Sequence, residues 1–175
     1  MIVHILLGIA VLALVSAYLP TLWGAPWAPT SLRTADRMLR MAGLERGQSL
    51  VDLGSGDGRM LILGARRFGA QAVGVEIDPV RCLIGNALIA LFGVRGRARV
   101  VHGDLFEFDV SQADVVTLYL LQGTNQRIMP LLQEKLRPGA RVISHSFSFS
   151  GWTPIAIDER DRLFLYEIGR TGKEV

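Results

Sequence analysis

The chain of 175 residues is poor in cysteine, histidine and lysine: it has one Cys and three His, and its only lysines are Lys135 and Lys173. A single thiol, Cys82, excludes an internal disulfide and a cysteine-built metal cluster, so a reducing compartment suits the chain and no metal is expected. Repeats and low-complexity tracts are absent, and the length fits one domain with an adequate core. The net charge of +3 and the pI near 9.5 come mostly from arginines spread along the chain rather than gathered in a patch. Nothing in that distribution demands a nucleic-acid partner.

Basic side chains are also missing ahead of residues 2–19, a run that is apolar apart from His4, Ser16 and Tyr18. Without a basic leader the run does not read as a cleaved signal peptide. At about 1.5 Å per residue it approaches the roughly 30 Å core of a bilayer, so residues 1–20 are expected to form a transmembrane anchor. Tyr18, Trp23 and Trp27 fall where an interfacial aromatic belt belongs, and Arg33, Arg37 and Arg40 are the first cations beyond it. That asymmetry places the remaining domain on the cytoplasmic face of the cell membrane, in a single pass. The alternative is an amphiphilic helix docked on a partner protein. Residues 21–30, rich in Pro, Gly and Trp, read as a juxtamembrane linker ahead of a catalytic domain at 31–175. Gly8 has no small residue four positions on, so association of anchors is neither indicated nor excluded.

The densest information lies in Leu50-Val51-Asp52-Leu53-Gly54-Ser55-Gly56-Asp57-Gly58-Arg59. A buried strand runs into three alternating glycines, which let the backbone turn tightly and approach a ligand closely, and a helix follows. A dinucleotide loop is G-x-G-x-x-G and offers bare N–H groups to a pyrophosphate, which extra carboxylates would repel. Here the pattern is G-x-G-x-G flanked by Asp52 and Asp57, which suits a cation such as the sulfonium and ammonium of S-adenosylmethionine. Ala72-Val73-Gly74-Val75-Glu76-Ile77-Asp78 is a second strand whose terminal acid, Glu76, is placed to hold a ribose diol at the carboxyl end of a neighbouring strand. A third run, Arg99-Val100-Val101-His102-Gly103-Asp104-Leu105, ends in Gly-Asp and can offer contacts to an adenine edge. Taken singly, Glu76 or Asp104 reads first as a solvated strand end or a helix cap; their order and spacing together point to the cofactor.

On these segments the chain resembles the class I, Rossmann-like S-adenosylmethionine-dependent methyltransferases. Ala25-Pro26-Trp27-Ala28-Pro29-Thr30, Val116-Thr117-Leu118-Tyr119-Leu120-Leu121, Val142-Ile143-Ser144-His145-Ser146-Phe147 and Gly151-Trp152-Thr153-Pro154 narrow the likeness. They resemble the small protein-lysine methyltransferases, both the archaeal broad-specificity type and the mitochondrial type that acts on the c-subunit of ATP synthase, over roughly residues 25–169. Trp27 stands where family members usually carry Tyr, and Gln122 where many carry Pro or Thr. The resemblance implies a doubly wound, mostly parallel seven-stranded α/β sheet and cofactor contacts from Asp52, Gly54, Ser55, Gly56, Asp57, Gly58, Glu76, Ile77, Asp104 and Leu105. It also implies a lid over the cofactor from Trp27 and Thr30, although Thr30 equally caps a helix.

Periodicity agrees with alternating strands and helices. Thr30 or Ser31 caps a helix that buries Leu32, Ala35, Leu39 and Ala42 and ends at Gly43. Helices are expected at 59–68, 79–92 with Pro79 in its first turn, and 125–136, with strands at 114–120 and 140–147. The run 163–168 is expected as an antiparallel edge strand.

Methyl transfer from a sulfonium is an in-line displacement needing little beyond positioning, while a lysine acceptor has to be neutral and therefore desolvated. In this fold the carboxyl end of the fourth strand faces the methyl group, which nominates Tyr119, with Gln122 and Asn125 nearby; a core tyrosine and a helix-capping Asn125 are the ordinary alternatives. His145 is nominated to orient the nucleophile or take up a proton, or is simply a satisfied buried histidine. Trp152 is nominated to wall a channel for an aliphatic ammonium, or packs under a loop. The expected activity is methylation of lysine side chains on protein substrates. A lipid or small-molecule acceptor, and a silent membrane adaptor of the same fold, are the alternatives.

Overall fold

The computed structural model describes residues 29–170 and, nearer the N-terminus, Val3, His4, Leu7 and Gly8. The expected anchor and linker therefore lie outside the described residues, apart from those four, which are helical, and Pro29 and Thr30. Among the described residues no helix is long and apolar enough to cross a membrane.

Helix α1 (Leu32–Met41) begins at Ser31, whose Oγ accepts from the Thr34 N–H at 3.0 Å, and ends before Gly43 at φ +58°. Strand β1 (Ser49–Leu53) feeds the glycine loop, and α2 (Arg59–Leu63) follows it, loosening into a π-helical turn at Gly64–Phe68. The expected helix at 59–68 is thus α-helical only in its first half; a side chain at Gly64 would put its Cβ 2.6 Å from Leu50. Then come β2 (Gln71–Glu76), α3 (Pro79–Leu91), β3 (Ala98–His102), β4 (Val115–Leu118), α4 (Gln122–Lys135), β5 (Arg141–His145), β6 (Ala156–Asp158) and β7 (Leu163–Glu167).

The seven strands form one sheet in the order β3-β2-β1-β4-β5-β7-β6, parallel except for β7, which is antiparallel to both neighbours. The expected edge strand is therefore interior, and the edge belongs to β6. Three residues, two of them exposed, carry too little pattern for β6 to be read from sequence. Leu50, Val115 and Ile143 alternate onto the face covered by α1 to α3, while Val51, Val116 and Val142 pack with Ile128 and Leu132 of α4 on the other. Burial on both faces is what makes β4 a continuous apolar and β-branched run. Helix α4 starts at Gln122, three residues before the expected boundary, so Asn125 sits inside its first turn rather than at a cap. Leu32, expected in the core, is 63% exposed.

Candidate functional site

Strands β1 and β4 are the first two on either side of the crossover reversal, where an open α/β sheet forms its ligand crevice. A pocket opens there, lined by Asp52 of β1, Gly54, Ser55, Gly56 and Asp57 of the glycine loop, Thr30 from the chain before α1, Leu118 at the end of β4 and Tyr119 just after it. Gly54, Gly56 and Gly58 all have positive φ, at +80°, +53° and +75°, so the loop follows a path that L side chains rarely adopt. Two further glycines, not marked by any motif, seat this loop from behind. A Cβ on Gly74 would lie 2.3 Å from the Ser55 Cβ, and one on Gly85 would lie 3.3 Å from the Gly56 carbonyl oxygen.

Asp52 is 8% exposed and opposes Thr117 in the β1–β4 register. The Thr117 hydroxyl donates to its Oδ1 at 2.6 Å. Burial pushes the Asp52 carboxyl up to about 7; Thr117 opposes that shift, and the charges of Glu76 and Asp57 add to it. Burial also acts to raise Asp57, but hydrogen bonds from Arg59 outweigh it and hold this carboxyl below its usual range. The Arg59 guanidinium grips Asp57 through Nε–Oδ1 at 3.0 Å and Nη2–Oδ2 at 2.6 Å, and Nη1 donates to the Thr30 carbonyl at 2.9 Å. Arg59, legible in the sequence only as a helix start, thus ties the glycine loop to the entry of α1.

Glu76 ends β2 almost fully buried, its Oε2 accepting from the Gly56 N–H at 2.8 Å and its Oε1 from the Asp78 N–H at 3.0 Å. Ile77 is exposed, with its carbonyl 3.0 Å from His102 Nε2. Asp104 is exposed and accepts from the Phe106 N–H at 2.9 Å, with Leu105 half-buried beside it. The Gly103 N–H donates to the Glu76 carbonyl at 3.0 Å, which brings the ends of β2 and β3 together.

Tyr119 and His145, at the ends of β4 and β5, are in ring contact with centroids 4.0 Å apart. His145 Nδ1 is buried without a hydrogen-bond partner, and burial lowers the imidazole pKa, with Asp161 partly opposing. Asn125 is fully buried and donates through Nδ2 to Ser144 Oγ and to the Phe147 carbonyl, both at 3.0 Å, locking the turn after β5. In that turn Ser146 has φ +68°. Trp152 lies apart from this group: it packs with Phe149 and Tyr166 at 4.8 and 5.5 Å between ring centroids in the core on the α4 side. Trp27 lies outside the described residues.

A glycine loop with space at its concave side, a carboxyl whose pKa a nearby cation would lower, and a buried acid on the adjacent strand fit a ligand that carries both a positive charge and a ribose. The sheet order and this site define a Rossmann-like S-adenosylmethionine-dependent methyltransferase. Residues 52–156 match the model of the ANTKMT methyltransferase domain, and the chain belongs to that family. A protein-lysine N-methyltransferase of Saccharolobus islandicus is 41% identical over 151 residues, covering 82% of this chain and 94% of that protein. The adenine nucleotide translocase lysine N-methyltransferase of Mus musculus is 31% identical over 155 residues, covering 86% of this chain, which spans only 66% of the mouse protein. Among solved structures, an RNA methyltransferase of Salinibacter ruber in complex with S-adenosylhomocysteine has a TM-score of 0.79 at 41% identity, covering 85% of this chain and 96% of that one.

Proposed function

We propose that this methyltransferase transfers methyl groups to lysine side chains of protein substrates, and that residues 1–20 hold it at the cytoplasmic face of the cell membrane. The single observation that carries the acceptor class is 41% identity to the archaeal protein-lysine enzyme along nearly that protein's whole length. Supporting the membrane placement are the apolar run at 2–19, the aromatic residues that follow it, and the exposure of Val3 and Leu7, at 73% and 63%.

S-Adenosylmethionine, when bound, supplies a methyl group already activated on sulfur. The protein's part is to bind, orient and exclude water. Asp52 offers a carboxylate to the cationic end, Gly54 to Gly58 let the backbone close on the ligand, and Glu76 accepts from the ribose. Ile77, Asp104 and Leu105 border the base, and Thr30 lines the mouth of the cleft. Tyr119 and His145 stand where the acceptor approaches. A half-buried site disfavours the ammonium of an incoming lysine, so the amine meets the methyl group neutral, and His145 in ring contact with Tyr119 orients it. The core position of Trp152 favours its packing reading over a channel wall.

The name of the Salinibacter protein makes RNA the second acceptor to consider. The Leu120-Leu121-Gln122-Gly123 segment lacks the Asn-Pro-Pro-Tyr type of loop associated with planar nitrogens, which favours an aliphatic amine. The 175-residue chain incubated with methyl-labelled S-adenosylmethionine and whole-cell extract, followed by separate counting of protein, RNA and lipid, tests the proposal. Label in protein supports it; label confined to RNA or lipid overturns it.

A further inference from the structure

Helix α3 is apolar on its outward face as well as its inward one. Leu83 and Leu91 are 72% and 78% exposed, and Ile84 and Phe92 are each nearly half exposed. With Val80 and Leu88 they recur every three to four residues along the whole helix. Leu32 at the start of α1 extends the patch, lining one apolar groove with Leu63, Leu88 and Phe92. A contiguous exposed surface of this kind marks an interaction site.

The charges around the patch select its partner. No Asp or Glu occurs from Pro79 to Gly103, whereas Arg66 lines the groove and Arg95 and Arg97, in the segment that leaves α3, are exposed. The Arg66 guanidinium stacks 5.5 Å from the centre of the Phe92 ring, and among the described residues no carboxylate pairs with it. An apolar helical face rimmed by unopposed arginines is the signature of a helix lying in the headgroup region of an anionic bilayer. The covalent path agrees. Residues 20–31, spanning at most roughly 40 Å when extended, connect the apolar run at 2–19 to Leu32, a member of the patch.

We propose that the α3 face, with Leu32, docks the catalytic domain flat on an anionic membrane surface. The contact rests on the membrane placement proposed above and adds a second, independent point of attachment. Because Asp57 and Arg59 line both this groove and the glycine-loop pocket, docking puts the cofactor cleft beside the bilayer, within reach of acceptors near its surface.

The test uses the full chain with Cys82→Ser and one added cysteine, Leu91→Cys on the patch or Glu134→Cys on α4 as control, labelled with an environment-sensitive fluorophore. Each is mixed with nitroxide-lipid vesicles rich in phosphatidylglycerol, or of phosphatidylcholine alone, and flotation is recorded in parallel. The expected result is strong quenching at position 91 on anionic vesicles, little at 134, and a several-fold loss at 91 when Arg66, Arg95 and Arg97 are changed to Glu. Flotation with no quenching at 91 overturns the docking while leaving the anchor standing. Failure to float overturns both. A concentration-dependent shift of the 91 label without vesicles also overturns the docking and assigns the face to a second copy of the chain.

Discussion

Thr117 and Asp52 face each other across the β1–β4 pair, with the hydroxyl 2.6 Å from the carboxylate oxygen at the floor of the cofactor pocket. This hydrogen bond favours the ionised form of a carboxyl that burial otherwise keeps protonated. Thr117→Val preserves shape and removes the donor. Its expected effect is about tenfold weaker S-adenosylmethionine binding at pH 7, the loss of roughly 1.4 kcal/mol, measured by isothermal titration.

Asp52 also makes stability depend on pH. Between its ordinary value of 3.8 and about 7, the folded chain keeps a proton that the unfolded chain has lost. The stability of the ligand-free protein therefore falls as pH rises through that window, by at most roughly 4 kcal/mol from this group at about 1.4 per unit. Asp52→Asn, compared with the parent by denaturant melts at successive pH values, should flatten that slope and be the more stable protein at pH 8. Because a bound cation favours the carboxylate, parent affinity for S-adenosylmethionine should rise with pH up to about 7 and that of the variant should not.

Gly74 has an ordinary strand conformation, and its need for glycine is one of space. Gly74→Ala places a Cβ 2.3 Å from the Ser55 Cβ and 2.8 Å from Leu61 Cδ1. Overpacking of this kind costs about 1–3 kcal/mol, and the glycine loop has to shift to relieve it. A thermal melt should show the destabilisation, and cofactor affinity should fall as well although position 74 touches no ligand.

The Tyr119–His145 contact separates positioning from binding. Tyr119→Phe keeps the ring against His145 and removes only the hydroxyl, so kcat should fall several-fold while the KM for S-adenosylmethionine stays within about twofold. An equal loss in both would assign Tyr119 to cofactor binding.

The parts of the site that are local in sequence were legible there. The glycine loop and the acid ending the next strand are strand-to-loop signals, and Asp52, Gly54, Ser55, Gly56 and Asp57 do line one pocket. What pairs across the sheet was not legible. Thr117 is separated from Asp52 by 65 positions, and nothing in a β-branched run marks which member will hydrogen-bond to a neighbouring strand. Arg59 bonding back to Thr30, and Gly74 and Gly85 making room for the loop, are likewise tertiary facts. Asn125 lies inside α4 rather than at its cap because the helix starts at Gln122 without a side-chain cap, so the usual N-terminal signal is missing from the sequence. Leu32 and the outer face of α3 run against the rule that helical periodicity separates core from solvent, and such violations concentrate at functional surfaces.

Lysine methylation is tested by tandem mass spectrometry of proteins from membranes incubated with S-adenosylmethionine and the 175-residue enzyme, with Asp52→Asn as the control. The expected result is methyl groups on lysine Nζ of particular proteins, present with the parent and strongly diminished with the variant. Transfer that proceeds equally with Asp52→Asn, or parent-dependent methylation found on RNA and on no lysine, would contradict it.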